Sequence, residues 1–346
     1  MKPAAKDLRQ SVRIVAVGGG TGLATLLREL KEHVSRRKSE AERMPISDLA
    51  AVVTVTDDGG SSGRLRRDYA MLPPGDIRNC LVALSKDAAL LSRLFQYRFP
   101  SASGGAGLRG HSFGNLFLTA LTRVTGDFTE AVRLSGQVLA IRGRIFPSTA
   151  QNVTLEAVLE DGRIVRGETR ISRSKKRIRR VRLFPRNVRP LPEVLRAIRD
   201  ADLIFVGPGS LFTSIIPNLL VRGVVAAMRK SKARRIYVAN LMTQPGETQG
   251  FSVADHVRAI YDHTGAGLFD WIVVNNGAVS PRLLRRYRAE GAEQVRVDLD
   301  DLQKLRLRVV LDNLVEEDRV ARHEVARHDA ARLSKLLLEE FIHPRP

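Results

Sequence analysis

Cysteine is nearly absent from this chain. Its 346 residues include one, Cys80, which excludes an internal disulfide and any metal site built on clustered thiolates. The expected compartment is therefore reducing and cytoplasmic. No stretch of eighteen apolar residues occurs, so no membrane insertion is expected. The segment Met1–Val12 is polar and charged and lacks the apolar stretch of a secretory signal. No G-x-S-x-G elbow marks a nucleophilic serine. No H-x-x-x-H pair offers zinc ligands, since His323 and His328 are five positions apart. Internal repeats and low-complexity tracts are also missing. Acids are outnumbered, with 37 Asp and Glu against 57 Lys and Arg, a net charge of +20. Such a surface attracts polyanions, phosphorylated small molecules among them. Arginine bias and a solvated surface explain the excess more simply.

Hydrophobic residues make up 43% of the chain, ample for one large domain or two smaller ones. Strand and helix signals alternate. Val12–Val17 is a short apolar run that reads as a buried strand. Gly18–Gly22 breaks it, and Leu23–Val34 continues at helical spacing. Ser35–Ser47 is charged and loop-like. Leu49–Thr56 is a second β-branched run. Helical patterns cover Ile77–Leu94, His111–Val124 and Asp127–Leu139. From about residue 150 the pattern changes. Val153–Glu160 and Arg163–Ser172 alternate around Asp161-Gly162, a hairpin signal. Further on, Leu203–Val206, Arg235–Val238 and Trp271–Asn275 read as strands. Leu191–Arg199, Leu219–Arg229, Val253–Tyr261 and Ala330–Phe341 read as helices, and the chain is mixed from Asp298 onward. Repeated strand–loop–helix units imply an α/β fold, a mostly parallel sheet with helices on both faces. The segment 151–189 reads as a small basic β-hairpin insertion.

Ligands of such sheets bind at the carboxyl ends of the strands, and four loops fall there. The first is Gly18-Gly19-Gly20-Thr21-Gly22, joining a strand to a helix N-terminus. Free backbone N–H groups and the helix dipole favour a phosphate at such a point. The loop lacks the sixth-position glycine of a dinucleotide fingerprint and the Lys-Ser/Thr end of a P-loop. The second loop carries Asp57, Asp58, Gly59, Ser61 and Ser62. Its adjacent carboxylates suit a divalent cation or a ribose, or else an ordinary turn. The third carries Gly207, Gly209 and Ser210, backbone and hydroxyl donors for an anion. The fourth carries Asn240, Thr243 and Gln244, whose amides can read a base or sugar edge. Asp76 reads as the cap of the helix that follows Pro73-Pro74-Gly75, with Arg78 and Asn79 beyond it. His111 is the histidine best placed for a site, although a structural role is equally natural for a lone histidine. The stretch Arg163–Arg189 has twelve basic residues, one acid and one aromatic, Phe184. Stacking on single-stranded bases has little support there.

Taken in order, GGGTGL, TVTDDGGSSGRLR, PPGDIRNCL, GHSFGNL, GPGSLFTSIIPNLL and NLMTQPGET resemble the YvcK family of gluconeogenesis factors. That family is related to the CofD-type 2-phospholactate transferases. The resemblance runs from about Val12 to Leu338. It implies a single Rossmann-like domain over 1–346, with the 151–189 insertion inside it. It implies a cytoplasmic protein that binds UDP-sugars such as UDP-N-acetylglucosamine, with a NAD-like dinucleotide as an alternative ligand. It further implies a role in cell shape and peptidoglycan supply during gluconeogenic growth, and a regulatory or cell-wall protein as partner.

No reaction belongs to the YvcK branch by resemblance. The CofD branch transfers a phospholactyl group with a divalent metal, which would place magnesium at Asp57 and Asp58. Tyr287, in RRYRAEGAEQV, and Arg327, in VARHDA, resemble a tyrosine and an arginine tied to UDP-sugar binding. Ala330 stands where the family has a regulatory threonine, so phosphorylation is not expected at that point. Three readings follow: a UDP-sugar-binding regulator, a metal-dependent phospholactate-type transferase, and a polyanion binder. The regulator is preferred, and self-association is expected of such a fold. Nucleic acid is disfavoured because no nucleic-acid motif accompanies the diffuse charge.

Overall fold

A computed structural model describes residues 11–35, 45–86, 90–100, 107–174, 176–320 and 323–342. Its centre is a seven-stranded sheet. The strands are β1 (Val12–Gly18), β2 (Ile46–Val53), β3 (Arg144–Pro147), β7 (Leu203–Val206), β8 (Arg234–Val238), β9 (Trp271–Asn275) and β10 (Arg308–Asp312). Their spatial order is β10-β9-β8-β7-β1-β2-β3, and every pairing is parallel. A parallel sheet is covered on both faces, so its strands must be apolar throughout rather than alternating. β1 and β7 meet that demand, with Val15, Ala16, Val17, Ile204, Phe205 and Val206 all buried.

The chain builds outward from β1 through β2 to β3. It then returns to the middle and builds the other half from β7 to β10. Strand order therefore reverses between β1 and β7, and a crevice opens at their carboxyl ends.

The return journey from β3 to β7 contains the insertion. It is a three-stranded antiparallel sheet, ordered β5-β4-β6, of β4 (Thr154–Leu159), β5 (Ile164–Arg166) and β6 (Ile178–Phe184). The expected hairpin is present as β4 and β5, and β6 extends it along the other edge of β4. The alternation over 163–172 does not yield one long strand, however. β5 stops at Arg166, Gly167 takes φ +93°, and Glu168–Ser172 coils into a short helix. A third unit, the antiparallel ribbon β11 (Val315–Val320) and β12 (His323–His328), follows β10.

Other expectations shift for local reasons. The pattern over 77–94 divides into helices Gly75–Leu84 and Leu90–Gln96. Ser85 turns extended between them, and its carbonyl accepts from the buried Lys31 ammonium at 2.7 Å. The pattern over 219–229 breaks at Gly223, φ +86°, into Ile216–Leu219 and Val224–Lys230. Helices Gly60–Tyr69 and Pro281–Ala289 carry too few apolar residues to announce themselves. Residues 36–44 of the expected 35–47 loop lie outside the described residues, and Ile46–Ser47 already belong to β2. Met1–Gln10 and Lys175 also lie outside them. Among the described residues, no single helix is long and apolar enough to cross a membrane.

Candidate functional site

The glycine loop sits at the crevice between β1 and β7. Gly18 ends β1, and its carbonyl accepts from Thr54 N–H at 3.0 Å and from Asn218 Nδ2 at 2.8 Å. The helix Gly20–Leu30 then starts at once. It has no side-chain cap from its own N-cap residue and no acid in its first turn; Asp76 takes the Gly20 amide, and Thr21 and Gly22 of the same turn line the crevice. Two glycines are obligatory for separate reasons. Gly20 has φ +66°, a left-handed conformation that side chains resist. A Cβ on Gly22 would lie 2.6 Å from the Pro208 carbonyl oxygen, because the loop after β7 packs directly against it.

A cavity of about 460 Å³ opens above this contact. Its lining includes Gly19, Gly20, Thr21, Gly22, Gly209, Ser210, Ser214, Asn240, Met242, Gln244, Arg327 and His328. Gln244 Nε2 donates to Ser210 Oγ at 2.8 Å, which fixes the loops after β7 and β8 to each other. The far wall is β12. There Arg327 is half-buried and forms a loose pair with Asp318 on β11, at 3.5 Å. His328 Nε2 donates to the Ala239 carbonyl at 3.1 Å. Removal from water pushes its pKa down to about 4, so the ring is neutral and its Nδ1 is an acceptor.

Tyr287 stands behind this wall. Its hydroxyl accepts from the Ala326 N–H at 3.0 Å, so it holds the β12 backbone next to Arg327. Thr243 is also a support. It is buried, and its hydroxyl accepts from Glu293 N–H at 2.9 Å. Gly18 and Gly207 terminate strands, one at the base of each loop.

The other side of the glycine loop, toward β2, is acidic. Asp76 tucks its carboxylate against the loop, where a Cβ on Gly19 would meet Asp76 Oδ2 at 2.7 Å. It is not the cap expected of it. The helix begins at Gly75 with Pro74 as its N-cap residue, so Asp76 is already inside the first turn and free to point elsewhere. Loss of water, reinforced by Asp57 and opposed by the Gly20 amide, pushes its pKa up to about 7. Asp57 Oδ1 accepts from Gly59 N–H at 2.8 Å. Its Oδ2 faces Gly75, 3.0 Å from where a Cβ would stand.

Asp58 turns the other way. Its Oδ1 accepts from both the amide and the hydroxyl of Thr169, at 2.8 and 2.7 Å. The neighbouring Glu168 is thereby brought to the end of β2, where Thr56 Oγ1 donates to Glu168 Oε2 at 3.2 Å. Burial, then Asp76 and Asp57, raise Glu168 well above the carboxylate range. Glu247 is 5% exposed and receives the Thr213 and Ser172 hydroxyls at 3.5 and 3.3 Å. Burial pushes it up to about 7.

Ser61 and Ser62 open the helix Gly60–Tyr69. Ser61 Oγ lies 2.9 Å from His111 Nδ1 and accepts from Asn115 Nδ2 at 3.1 Å. Arg64 Nε donates to His111 Nε2 at 3.2 Å, so the neutral ring must carry its proton on Nδ1 and donate to Ser61. Burial and Arg64 both lower the His111 pKa. Ser62 Oγ packs against Gly75. Arg78 donates to Ser112 Oγ at 2.7 Å and to Asn79 Oδ1 at 2.6 Å, so His111, Ser112, Arg78 and Asn79 support the acidic loop from behind.

The structure thus brings Gly19, Gly20, Thr21, Gly22, Gly209, Ser210, Asn240, Gln244 and Arg327 into one cleft. Asp57, Asp58, Gly59, Ser61 and Ser62 gather on its β2 side. Asp76, Glu168, Glu247 and His328 are additions that sequence reading passed over. Among the described residues, no three His, Cys, Asp or Glu side chains converge to hold a metal by themselves.

Residues 14–315 match the family model described as 2-phospho-L-lactate transferase CofD. The chain is 45% identical over 315 residues to a gluconeogenesis factor of Bacillus subtilis, spanning 91% of this chain and 95% of that one. It is 45% identical over 311 residues to a gluconeogenesis factor of Halalkalibacterium halodurans, spanning 90% and 92%. The crystal structure of protein BH3568 from Bacillus halodurans superposes with a TM-score of 0.87 at 44% identity. That match covers 95% of this chain and all of the other. The chain belongs to the CofD family, within its branch of YvcK-type gluconeogenesis factors.

Proposed function

We propose that this protein is a cytoplasmic regulator that binds a UDP-sugar, UDP-N-acetylglucosamine being the first to test. We propose that it serves cell shape and peptidoglycan supply under gluconeogenic growth. One observation carries the reading: a glycine-led helix N-terminus faces Arg327 across a cleft that also holds the amides of Asn240 and Gln244. Backbone N–H groups and a guanidinium suit a diphosphate, and side-chain amides suit the paired donors and acceptors of a base. Calorimetric titration with UDP-N-acetylglucosamine, UDP-glucose and NAD, each with and without magnesium, tests it. Binding of a UDP-sugar without its consumption supports the regulator, and no binding of any of the three sinks it.

A second reading, a metal-dependent phospholactate-type transferase, is favoured by the family model and by the acids on the β2 side. Magnesium takes one or two protein carboxylates and completes its shell with phosphates and water. Asp57 fits such a role, since among the described residues its Oδ1 accepts only from Gly59 N–H and its Oδ2 faces Gly75 next to Asp76, whereas Asp58 is committed to Thr169. The ion would neutralise phosphate charge there. Following the ligand by mass over hours separates the two readings, because only the transferase converts it.

A further inference from the structure

The strand ends beneath the cleft run in the order β8, β7, β1, β2. Neighbouring strands are about 4.8 Å apart, so the line from β8 to β2 spans roughly 14 Å. Asn240 and Gln244 follow β8, and the glycine loop follows β1. A nucleoside at the amides and a diphosphate at the glycine loop would leave the end of β2 for whatever the diphosphate carries. Glu168 occupies that end, and it arrives from outside the central sheet. Asp58 takes both donors of Thr169. A Cβ on Gly167 would collide with Asp58 Oδ2, so the helix Glu168–Ser172 is seated closely on the acidic loop.

Glu168 Oε2 is taken by Thr56, while Oε1 has no hydrogen-bond partner among the described residues. Thr56 also reaches the Thr213 carbonyl at 3.3 Å. The next residue, Ser214, lines the cleft, and its Cβ lies 3.4 Å from where a Cβ on Gly19 would stand. A half-buried carboxyl with one open oxygen therefore stands one residue layer from the diphosphate loop.

We propose that Glu168, brought in by the inserted sheet, is a specificity-determining residue that hydrogen-bonds a hydroxyl or amide of the group carried on the diphosphate. This rests on the nucleotide-sugar reading of the cleft. A carboxylate so near a diphosphate would ordinarily repel it. Burial beside Asp76 and Asp57 raises the Glu168 pKa, which weakens that repulsion and favours the form that donates as well as accepts.

Calorimetry with UDP and with UDP-N-acetylglucosamine on the full chain, on Glu168→Ala and on Glu168→Gln is the test. The readout is the ratio of the two affinities in each protein. The preference for the sugar-bearing ligand should fall about tenfold in Glu168→Ala, the scale of one lost hydrogen bond in a buried site. Glu168→Gln, which keeps an acceptor for Thr56, should lie between Ala and the parent. Should Glu168→Ala fail to fold, which a thermal melt would reveal, Glu168→Gln decides alone. An unchanged ratio in a folded variant overturns the role of Glu168 while leaving the nucleotide-sugar reading intact. A parent protein that binds neither ligand overturns both.

Discussion

Thr169 donates its amide and its hydroxyl to a single oxygen of Asp58, a residue 111 positions earlier in the chain. The carboxylate thus does for the helix Glu168–Ser172 what a local cap does elsewhere, since Gly167 provides no side-chain cap. Asp58→Ala should lower stability by about 1–2 kcal/mol in urea unfolding and expose the 160–175 region to limited proteolysis. Thr169→Val, which keeps the amide, should lose less. Equal losses in both variants would mean that the hydroxyl carries the whole contact.

Gly22 meets the Pro208 carbonyl backbone to backbone, and neither partner has a flexible end that could yield. Gly22→Ala should therefore force the β1 and β7 loops apart. A loss of about 1–3 kcal/mol in stability is expected from such overpacking, along with loss of detectable nucleotide binding. A folded Gly22→Ala protein with parental affinity would show that the two loops need not touch for the cleft to work.

Tyr287 and Arg327 should separate by mechanism. Arg327 lines the cleft, whereas Tyr287 fixes the backbone at Ala326. Arg327→Ala should cost about tenfold or more in UDP-sugar affinity and flatten its dependence on salt, because a charge opposite a phosphate is lost. Tyr287→Phe should cost only a few-fold and leave the salt dependence as it was. Identical salt profiles for both variants would contradict the division.

The sign of pH dependence follows from Glu247. Its folded pKa is about 7 against an ordinary 4.5, so the native state holds a proton that the unfolded chain releases. Its contribution to stability is complete below about pH 4.5 and is lost as pH rises through 7. Asp76 and Glu168 act in the same direction. The neutral His328 acts in the opposite direction below about pH 6.5, so the readout is the difference between the parent and Glu247→Gln in urea unfolding at pH 5 and pH 8.5. Glu247→Gln should gain on the parent between those values, by up to about 3 kcal/mol. A Glu247→Gln protein whose pH dependence parallels that of the parent would contradict the buried-acid account.

The glycine loop was legible because its signals are local. A buried apolar strand, a glycine run and a helical spacing follow one another within twenty residues, and strand alternation then places the loop at a carboxyl end. Asp76 and Glu168 were not legible for the opposite reason. Pro73-Pro74-Gly75-Asp76 has the composition of a helix entry, and nothing local says that the helix starts two residues sooner. Glu168 sits in a stretch that alternates like a strand, and it becomes helical only where Asp58 receives Thr169. Tyr287 illustrates a third case: resemblance singled it out, yet its hydroxyl reaches a backbone amide of β12 rather than the cleft. Tertiary contacts across more than a hundred residues leave no periodic trace.

The cleft joins Gly19 near one end of the fold to Arg327 and Leu333 near the other. A chain still emerging from the ribosome would own the phosphate loop long before it owned the opposite wall. Ligand capture would then wait for the β11–β12 ribbon, and a bound nucleotide would act as a clasp between β1 and the helix Ala330–Phe341. Fragments ending before β11 should therefore remain blind to the ligand however well their sheet is formed.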